Sequence, residues 1–331
     1  MGKIKSFVFI GCGNISYYHA EVILDLGHKI IGAGGKFKSK SSWKFAQKYQ
    51  LPIYSDIHLL LQELKPDAII LCVTWDQTEK ILADIVNFKI PVLVEKPVAL
   101  STKKLRKILH AVGYTNVGFD PSKGLTENVL VGYNRRFYDF IPKIKEQLLT
   151  RELLSIQLNF PEVTTIAKYG RDILFYMTSH WLDLLLYLVG DIEVVAMKFN
   201  RGYNGLLKTK KGSIPIHYQS NFDAPQQTSM SFSFTDSFWE LRPIETLSIY
   251  KELEKIKPTK TYPISRYIPT KNNFIETDLT FKPGFYKQME YFIDRFLYQK
   301  EGEEVGCTLD AAQKVTELCE EISHSSFSKS L

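Results

Sequence analysis

The sequence predicts an α/β chain of two domains, the first built on a doubly wound parallel sheet and the second an α+β domain with a large, mostly antiparallel sheet. Its 331 residues exceed the roughly 250–300 that one hydrophobic core usually supports. Residues 6–133 alternate short apolar runs with amphipathic stretches, as parallel βαβ units do. After Arg136, polar and apolar residues alternate with period two, as in antiparallel strands. We therefore expect domains at 1–133 and 134–331.

In the first domain, each apolar run is followed by a helix with a recognisable start or stop signal. Gly27 follows the first helix, Ser41 or Ser42 begins the second, and Asp56 begins the third. Ser101 begins the last helix of this first domain. The predicted strands are 6–10, 29–33, 67–74, 91–94 and 129–133, and the predicted helices are 15–26, 41–49, 58–64, 79–88 and 102–112.

The second domain combines long alternating segments with four helical stretches. Met230, Phe232 and Phe234 alternate with serines, so we expect them to form an open apolar face of the sheet. A second copy of the chain would cover such a face, which predicts a homodimer or homotetramer through the C-terminal sheet. The predicted strands are 154–160, 193–199, 228–234 and 245–250, and the predicted helices are 139–149, 179–189, 284–298 and 309–322.

Composition limits the class of partner. The formal charge of +6 is accompanied by no nucleic-acid recognition motif, so a phosphate-bearing small molecule is the expected anionic partner. The four cysteines lack metal or redox spacing, which indicates reduced thiols and no metal site. No apolar run approaches the roughly 20 residues that span a bilayer, and the first strand is too short for a signal peptide core. We expect a cytoplasmic protein without a membrane segment.

The turn Gly11-Cys12-Gly13-Asn14-Ile15-Ser16 joins the first strand to the first helix. Gly11 permits a tight turn, and Gly13 lets a pyrophosphate approach the backbone N–H groups of Asn14 and Ile15 at the helix N-terminus. A tight turn alone would also explain the glycines. Its position at the first strand-to-helix junction favours a dinucleotide site, and hence a Rossmann domain.

The end of the second strand bears on the choice of cofactor. A carboxylate that would bind the ribose 2′-hydroxyl of NAD is missing there, and the chain continues through Gly34 and Gly35 to Lys36, Lys38 and Ser39. Small residues followed by positive charge favour the 2′-phosphate of NADP, with NAD as the alternative cofactor. The same lysines are also typical of a solvated loop.

Four motifs in order resemble the glucose-fructose oxidoreductase / inositol dehydrogenase / MocA family. They are the glycine turn, Val92-Leu93-Val94-Glu95-Lys96-Pro97, Gly132-Tyr133-Asn134-Arg135-Arg136-Phe137 and Ser179-His180-Trp181-Leu182-Asp183, and Phe238-Trp239-Glu240-Leu241-Arg242-Pro243 is also similar. The resemblance implies dimers or tetramers built through the second sheet. It also implies that Lys96 lies beneath the nicotinamide and contacts the reacting oxygen, with Glu95, Thr74 and Trp75 in the cofactor site. Trp75 departs from the family, which commonly has proline there; its indole would stack beside the nicotinamide or only fill the wall.

By the same resemblance, His180 is catalytic. His180 and Asp183 are one helical turn apart, so both can face one side of the helix, and an imidazole suits proton exchange at neutral pH. Many members carry an aspartate four residues before the histidine, where this chain has Tyr176. Three interpretations of Tyr176 remain open. Its phenolic hydroxyl would take the place of the aspartate beside His180, or the site relies on Lys96 and His180 alone, or the catalytic group has been lost. Asn134, Arg135 and Tyr169 complete the expected substrate-binding set, with Tyr176 and Asp183.

These residues predict a reversible hydride transfer between the nicotinamide and a carbinol carbon of a sugar or nucleotide-sugar. His180 would exchange the hydroxyl proton and Lys96 would stabilise charge on the oxygen. A role in surface-polysaccharide synthesis would fit this class of substrate. The alternative is an NADP(H)-binding regulatory protein without turnover, in which Tyr176 marks a lost active site.

Overall fold

The computed structural model describes residues 3–35, 39–111, 114–115, 118–119, 128–162 and 173–325, which form two compact units. The first unit comprises Met1–Phe137 and Leu279–Glu320, and the second comprises Tyr138–Asp278 and the chain after Glu320. This grouping differs from the predicted division at residue 133, because the segment Leu279–Glu320 returns to the first unit. The boundary between cofactor and substrate domains remains a prediction.

The first unit is built on a six-stranded sheet in the order β3-β2-β1-β4-β5-β8, with every strand pair parallel. The middle strands are buried on both faces, which explains their continuous apolar sequences. A short antiparallel pair, β6-β7, lies outside this sheet. The strands are β1 Ser6–Ile10, β2 Lys29–Gly34, β3 Ile53–Tyr54, β4 Ala68–Leu71, β5 Val92–Val94, β6 Tyr114–Thr115, β7 Gly118–Phe119 and β8 Val129–Val131.

Helices follow the strands of this sheet in the alternating order that parallel connections require. Asp56 begins α3, as predicted, by accepting hydrogen bonds from the backbone N–H groups of His58 and Leu59 at 2.8 and 3.1 Å. The second helix begins one residue earlier than predicted, and its N-cap residue is Ser39 rather than Ser41 or Ser42. The helices are α1 Asn14–Asp25, α2 Lys40–Tyr49, α3 Ile57–Leu64, α4 Trp75–Ile85 and α5 Thr102–Ala111.

The segment Leu279–Glu320 completes the core of the first unit. It contains α8 (Phe285–Phe292), a π-helical turn (Ile293–Leu297) and most of α9 (Leu309–Ser325). Side chains of α8 and the π turn share one hydrophobic cluster with the first strands and with α1. The cluster includes Phe7, Phe9, Ile23, Ile70 and Leu93 from the N-terminal part, and Phe285, Met289, Phe292 and Ile293 from the C-terminal part.

The second unit is built on an eight-stranded sheet in the order β10-β11-β12-β9-β13-β14-β15-β16. Every neighbouring pair is antiparallel except β12 and β9, which are parallel. The strands are β9 Leu153–Asn159, β10 Ile192–Phe199, β11 Gly202–Thr209, β12 Pro215–Asn221, β13 Ser229–Phe234, β14 Phe238–Leu241, β15 Thr246–Ile256 and β16 Arg266–Glu276. The helices are α6 Ile141–Thr150 and α7 Ser179–Val189.

One expectation about the second sheet is wrong. Met230, Phe232 and Phe234 do not form an open apolar face, because all three are buried within the chain. Alternation along β13 leaves the partly exposed serines Ser229 and Ser233 on the other face. The apolar surface that suggested pairing with a second copy is therefore absent at these positions, and the oligomeric state stays a prediction.

Candidate active site

The carboxyl ends of the parallel strands bring the predicted cofactor residues to one edge of the sheet. Gly11, Cys72, Glu95 and Gly132 each donate their backbone N–H to the last residue of a neighbouring strand, at 2.9, 2.8, 2.9 and 2.7 Å. These hydrogen bonds set the glycine turn, the loop after β4, the Glu-Lys-Pro motif and the residue after β8 side by side. In open parallel sheets, ligands bind beyond this edge.

The glycine turn has the geometry of an anion site. Gly11 has φ +84°, and a methyl group added to it would stand 2.6 Å from the carbonyl oxygen of Cys72, so only glycine fits there. Gly13 precedes α1 as its N-cap residue, and a methyl group added to it would meet nothing within 4 Å. The Ser16 hydroxyl donates to the Gly13 carbonyl at 2.5 Å, and this hydrogen bond joins the two ends of the turn.

An NAD(P) pyrophosphate fits this turn. No side chain caps α1, so the N–H groups of Asn14 and Ile15 remain available to an anion that the helix dipole favours, while the Ser16 N–H donates to the Gly13 carbonyl. The open space beside Gly13 would allow a phosphate to approach the backbone closely. Asn14 is exposed and Ile15 is half-buried at this helix start.

The end of β2 lies beside the glycine turn. Gly34 accepts the Gly11 N–H, and a methyl group at Gly35 would stand 2.4 Å from the Ser42 hydroxyl oxygen. Ser39, the N-cap residue of α2, makes no side-chain capping bond to the helix backbone and instead lies 2.8 Å from Ser41, hydroxyl to hydroxyl. The predicted cofactor residues Lys36 and Lys38 lie outside the described residues.

Thr74 and Trp75 mark the start of α4. Thr74 is the N-cap residue and Trp75 the first helical residue, with 37% of its side chain exposed. This position, directly after the loop that leaves β4, is at the same sheet edge as the glycine turn. A contact of Trp75 with a nicotinamide remains a prediction.

Glu95 is tied to α1 by a buried histidine. Nε2 of His19 lies 2.8 Å from Oε1 of Glu95, and His19 is only 1% exposed. Lys96 follows Glu95 and is partly buried, and its bond to Pro97 is cis. The structure thus places Lys96 at the carboxyl end of β5, where the sequence predicted it.

Lys282, a positively charged residue near Glu95, lies in a part of the chain that the motifs do not cover. Partial burial lowers the pKa of the Lys282 ammonium, the negative charge of Glu95 opposes that shift, and the positive charge of Arg135 adds to it. The Lys282 Nζ atom lies 4.9 Å from the ring centres of both Tyr18 and Phe285. Lys282 is therefore close enough to both Glu95 and Arg135 for their charges to interact with its ammonium.

Two cysteines of this edge are unreactive by environment. Burial raises the pKa of the Cys12 thiol to about 12, against a hydrogen bond with Ser42 that lowers it. Burial also raises the pKa of Cys72, and the charge of Glu95 adds to that effect. Both side chains are neutral thiols at neutral pH and do not serve as nucleophiles.

The segment after β8 fixes Asn134 by a backbone contact. The Asn134 amide donates to the carbonyl oxygen of Pro283 at 2.7 Å, and the side chain is buried. Arg136 donates to the carbonyl of Gly306 at 3.2 Å. Arg135 is partly exposed, while both of its neighbours are buried. Asn134 and Arg136 thus hold the returning segment Leu279–Glu320, and a contact of Asn134 or Arg135 with substrate remains a prediction.

The predicted catalytic helix belongs to the second unit. The helix α7 follows a π-helical turn, Leu174–Thr178, which contains Tyr176. His180 and Tyr176 are half-buried, whereas Asp183 is fully buried. Trp181 stacks on Phe160, with ring centres 5.3 Å apart and planes 14° from parallel. The predicted substrate residue Tyr169 lies outside the described residues.

Sequence reasoning missed three residues that the structure brings forward. His19 occupies the buried face of α1 among apolar neighbours, and an isolated histidine on such a face was the available signal. Glu162 is buried in the second unit and accepts a hydrogen bond from Thr178 of the π turn. Lys282 had no sequence signal, because the two charges that interact with it, those of Glu95 and Arg135, are far from it in the sequence and are brought near it only by folding.

Within the residues that the structure describes, no helix is long and apolar enough to cross a membrane. The same part of the chain holds no group of three or more His, Cys, Asp or Glu side chains that could bind a metal ion.

Comparisons with solved structures show the fold of the whole chain. A dehydrogenase from Clostridium difficile is 19% identical with a TM-score of 0.75, and the alignment covers 98% of this chain and 100% of the other. A UDP-N-acetylglucosamine 3-dehydrogenase from Acidithiobacillus ferrooxidans is 15% identical with a TM-score of 0.72 and 98% of both chains covered. An oxidoreductase from Agrobacterium radiobacter, in complex with NAD+, L-tartaric acid and magnesium, is 14% identical with a TM-score of 0.76, covering 98% and 97%.

No curated protein matches the sequence. Residues 5–118 match the family model described as "Oxidoreductase family, NAD-binding Rossmann fold". This segment contains the glycine turn and the Glu95–Lys96 end of β5. Residues 5–118 are thus similar to the NAD-binding Rossmann domain of the Gfo/Idh/MocA oxidoreductase family, the family that the motifs resemble.

Proposed function

We propose that the protein is an NAD(P)-dependent dehydrogenase or reductase that acts on a carbinol carbon of a sugar or nucleotide-sugar. One observation carries the proposal: the open glycine turn at Gly13 and the Glu95–Lys96 strand end share the carboxyl edge of one parallel sheet. The bound nicotinamide would supply or accept the hydride. The surrounding residues bind, orient and move protons.

Lys96 and His180 have separate roles in this proposal. The Lys96 ammonium stabilises the negative charge that develops on the substrate oxygen. His180 takes or returns the hydroxyl proton, which suits an imidazole near neutral pH. Tyr176, Asp183, Asn134, Arg135 and Tyr169 complete the proposed substrate site.

NADP is the proposed cofactor, in preference to NAD. The supporting observations are the missing carboxylate after Gly34, the uncapped start of α2 at Ser39, and the nearby lysines of the sequence. The variant Ser39→Asp would place a negative charge where the 2′-phosphate is expected, and it should weaken NADPH binding more than NADH binding. Ser39→Ala is the control without charge. A wild-type preference for NADH in fluorescence titration would refute the assignment.

A sugar or nucleotide-sugar is the proposed substrate class. A solved structure with the same fold is a UDP-N-acetylglucosamine 3-dehydrogenase, which supports the inclusion of nucleotide-sugars in the substrate panel. Arg135, partly exposed and near Lys282, has the chemistry to bind a phosphate or carboxylate of such a substrate. A role in surface-polysaccharide synthesis and a cytoplasmic location belong to the same proposal.

The deciding experiment is titration of the protein with NADPH and NADH, followed by an absorbance screen of sugars and nucleotide-sugars with the tighter cofactor. Binding with turnover supports the dehydrogenase. Binding without turnover over a broad panel favours the regulatory alternative, and absence of binding contradicts both.

Once a substrate is found, Lys96→Ala and His180→Ala should each lower kcat by about 10²- to 10⁴-fold, the usual contribution of a positioned acid-base or charge-stabilising group. The matched controls are Lys29→Ala and His217→Ala, which change exposed residues of the same two units. Full turnover in both active-site variants would show that the mechanism is wrong.

A further inference from the structure

The feature that carries a further inference is the buried contact between His19 and Glu95. His19 is on α1, 1% exposed, and its Nε2 atom lies 2.8 Å from a Glu95 carboxylate oxygen. A carboxylate accepts hydrogen bonds only, so the imidazole donates from Nε2. The other ring nitrogen, Nδ1, is buried without a hydrogen-bond partner among the described residues. Glu95 is thus the polar contact that orients this ring.

The Glu95 carboxylate packs against Gly132, the residue directly after β8. A methyl group added to Gly132 would lie 3.2 Å from both Cδ and Oε1 of Glu95, closer than ordinary contacts allow. The Gly132 N–H donates to the carbonyl oxygen of Val94, the residue before Glu95, at 2.7 Å. The carboxylate is therefore packed against the backbone of the neighbouring strand end, and it has little room to move on that side.

The segment that returns to the first unit closes around the same group. The Phe285 ring packs on the His19 ring, with centres 4.6 Å apart. The Lys282 ammonium lies over the Phe285 and Tyr18 rings, close enough to Glu95 for the two charges to interact. The Glu95 side chain, 12% exposed, is surrounded by groups from three separate parts of the chain: α1, the residue after β8 and the returning segment.

We propose that His19 is a positioning residue for Lys96. Its hydrogen bond anchors the Glu95 side chain, and Glu95 directly precedes Lys96, so the contact fixes the start of the peptide unit from which the Lys96 side chain extends. The expected effect of His19 on the reaction rate rests on the proposed function. The anchoring of Glu95 by His19 does not require a cofactor. A displacement of a catalytic group such as the Lys96 ammonium by about 1 Å lowers the reaction rate steeply even when substrate binding is retained.

The alternative role for His19 is packing alone, since it lies between α1 and α8. Two substitutions separate the roles. His19→Gln retains a donor near the position of Nε2, whereas His19→Leu retains apolar volume and removes the donor. His28→Gln is the matched control, because His28 is a half-buried histidine of the same unit that accepts a hydrogen bond from the Lys5 N–H, away from Glu95.

The first measurement is NMR of the intact protein with ¹³C-labelled lysine, in which Lys96→Arg identifies the Lys96 signal. His19→Leu should shift the Lys96 resonance by more than its linewidth, and His19→Gln and His28→Gln should leave it close to wild type. Imidazole ¹⁵N spectra should show a proton on Nε2 of His19. An unchanged Lys96 signal in a folded His19→Leu protein would overturn the proposal, as would a His19 ring whose Nε2 carries no proton.

With a known substrate, His19→Leu should lower kcat about tenfold at nearly constant KM, and His19→Gln should restore most of it. If His19→Leu does not fold, Glu95→Leu removes the acceptor of the same hydrogen bond from the other side and should shift the Lys96 signal likewise; an unshifted signal there also overturns the proposal. Failure of wild type to bind NADPH or NADH would contradict the proposed function but leave the NMR result to decide the role of His19.

Discussion

Two glycines of one turn carry different constraints, although the sequence presents them as one motif. Gly11 is required by the protein itself, because its φ of +84° and the nearby Cys72 carbonyl exclude any side chain. Gly13 has φ −79° and open space around it, so the protein alone tolerates a side chain there. The constraint on Gly13 comes from the proposed ligand.

Substitution by alanine should separate these constraints. Gly11→Ala should lower the free energy of unfolding by about 1–3 kcal/mol, the usual cost of a strained backbone position, and weaken cofactor binding as well. Gly13→Ala should leave thermal unfolding close to wild type and still weaken NADPH binding, because its methyl group fills the phosphate space. Thermal denaturation and fluorescence titration measure the two effects. Equal cofactor affinity of Gly13→Ala and wild type would argue against a phosphate at this turn.

At the scale of elements, the start of α5 is stabilised by a residue far along the chain. The Glu320 carboxylate of α9 accepts hydrogen bonds from the backbone N–H and the hydroxyl of Thr102, at 3.0 and 2.7 Å. A carboxylate at a helix N-terminus also interacts favourably with the helix dipole. The last helix thereby caps a helix of the nucleotide domain.

Removal of this cap should destabilise the first unit. Glu320→Ala should lower the free energy of unfolding by about 1–2 kcal/mol, typical of a lost N-cap. Glu317→Ala is a suitable control, since Glu317 on the same helix forms an exposed ion pair with Arg106, and such pairs contribute about 0–1 kcal/mol. Urea denaturation of both variants measures the difference. Equal stability of the two variants would refute the capping role.

Across the whole molecule, the first compact unit is discontinuous in sequence. The family match ends at residue 118, yet the compact unit also needs Leu279–Glu320. Phe285, Met289, Phe292 and Ile293 are almost fully buried in the core that they share with β1 and β4. At roughly 1.5–3 kcal/mol each, these four side chains contribute about 6–12 kcal/mol, comparable to the whole stability of a typical domain.

A fragment that ends at residue 278 should therefore lack a stable nucleotide domain. It should bind the dye ANS, lose cooperative thermal unfolding and fail to bind NADPH, because its sheet face would be exposed. A fragment that stops at residue 325 retains α8 and α9 and serves as the control. A cooperative unfolding transition for the nucleotide domain of the shorter fragment would show that the returning segment is dispensable.

The association state remains a prediction at this scale. A homodimer or homotetramer through the second sheet is expected from the family resemblance, and sedimentation at micromolar concentration tests it. The buried positions of Met230, Phe232 and Phe234 mean that any such interface uses other residues of the sheet.

Local patterns in the sequence determined most of the elements and the cofactor motif. Apolar runs predicted β1, β4 and β5, Asp56 predicted the start of α3, and the segment Ser179–Val189 is a helix as expected. These signals are local, since strand burial, capping and glycine turns depend on neighbouring residues. The strands β11, β12, β14 and β16 were not predicted, although β12 and β14 alternate buried with more exposed residues in the structure.

The residues that surround those motifs come from distant parts of the chain and are known only from the tertiary structure. The returning segment joins the first unit, His19 donates to Glu95, and Lys282 approaches the same carboxylate from a distant part of the chain. Likewise, the burial of Met230 depends on what covers the sheet, and alternation alone does not say which face is covered. Such contacts join residues that are far apart in sequence, so their free energies depend on packing that no local pattern records.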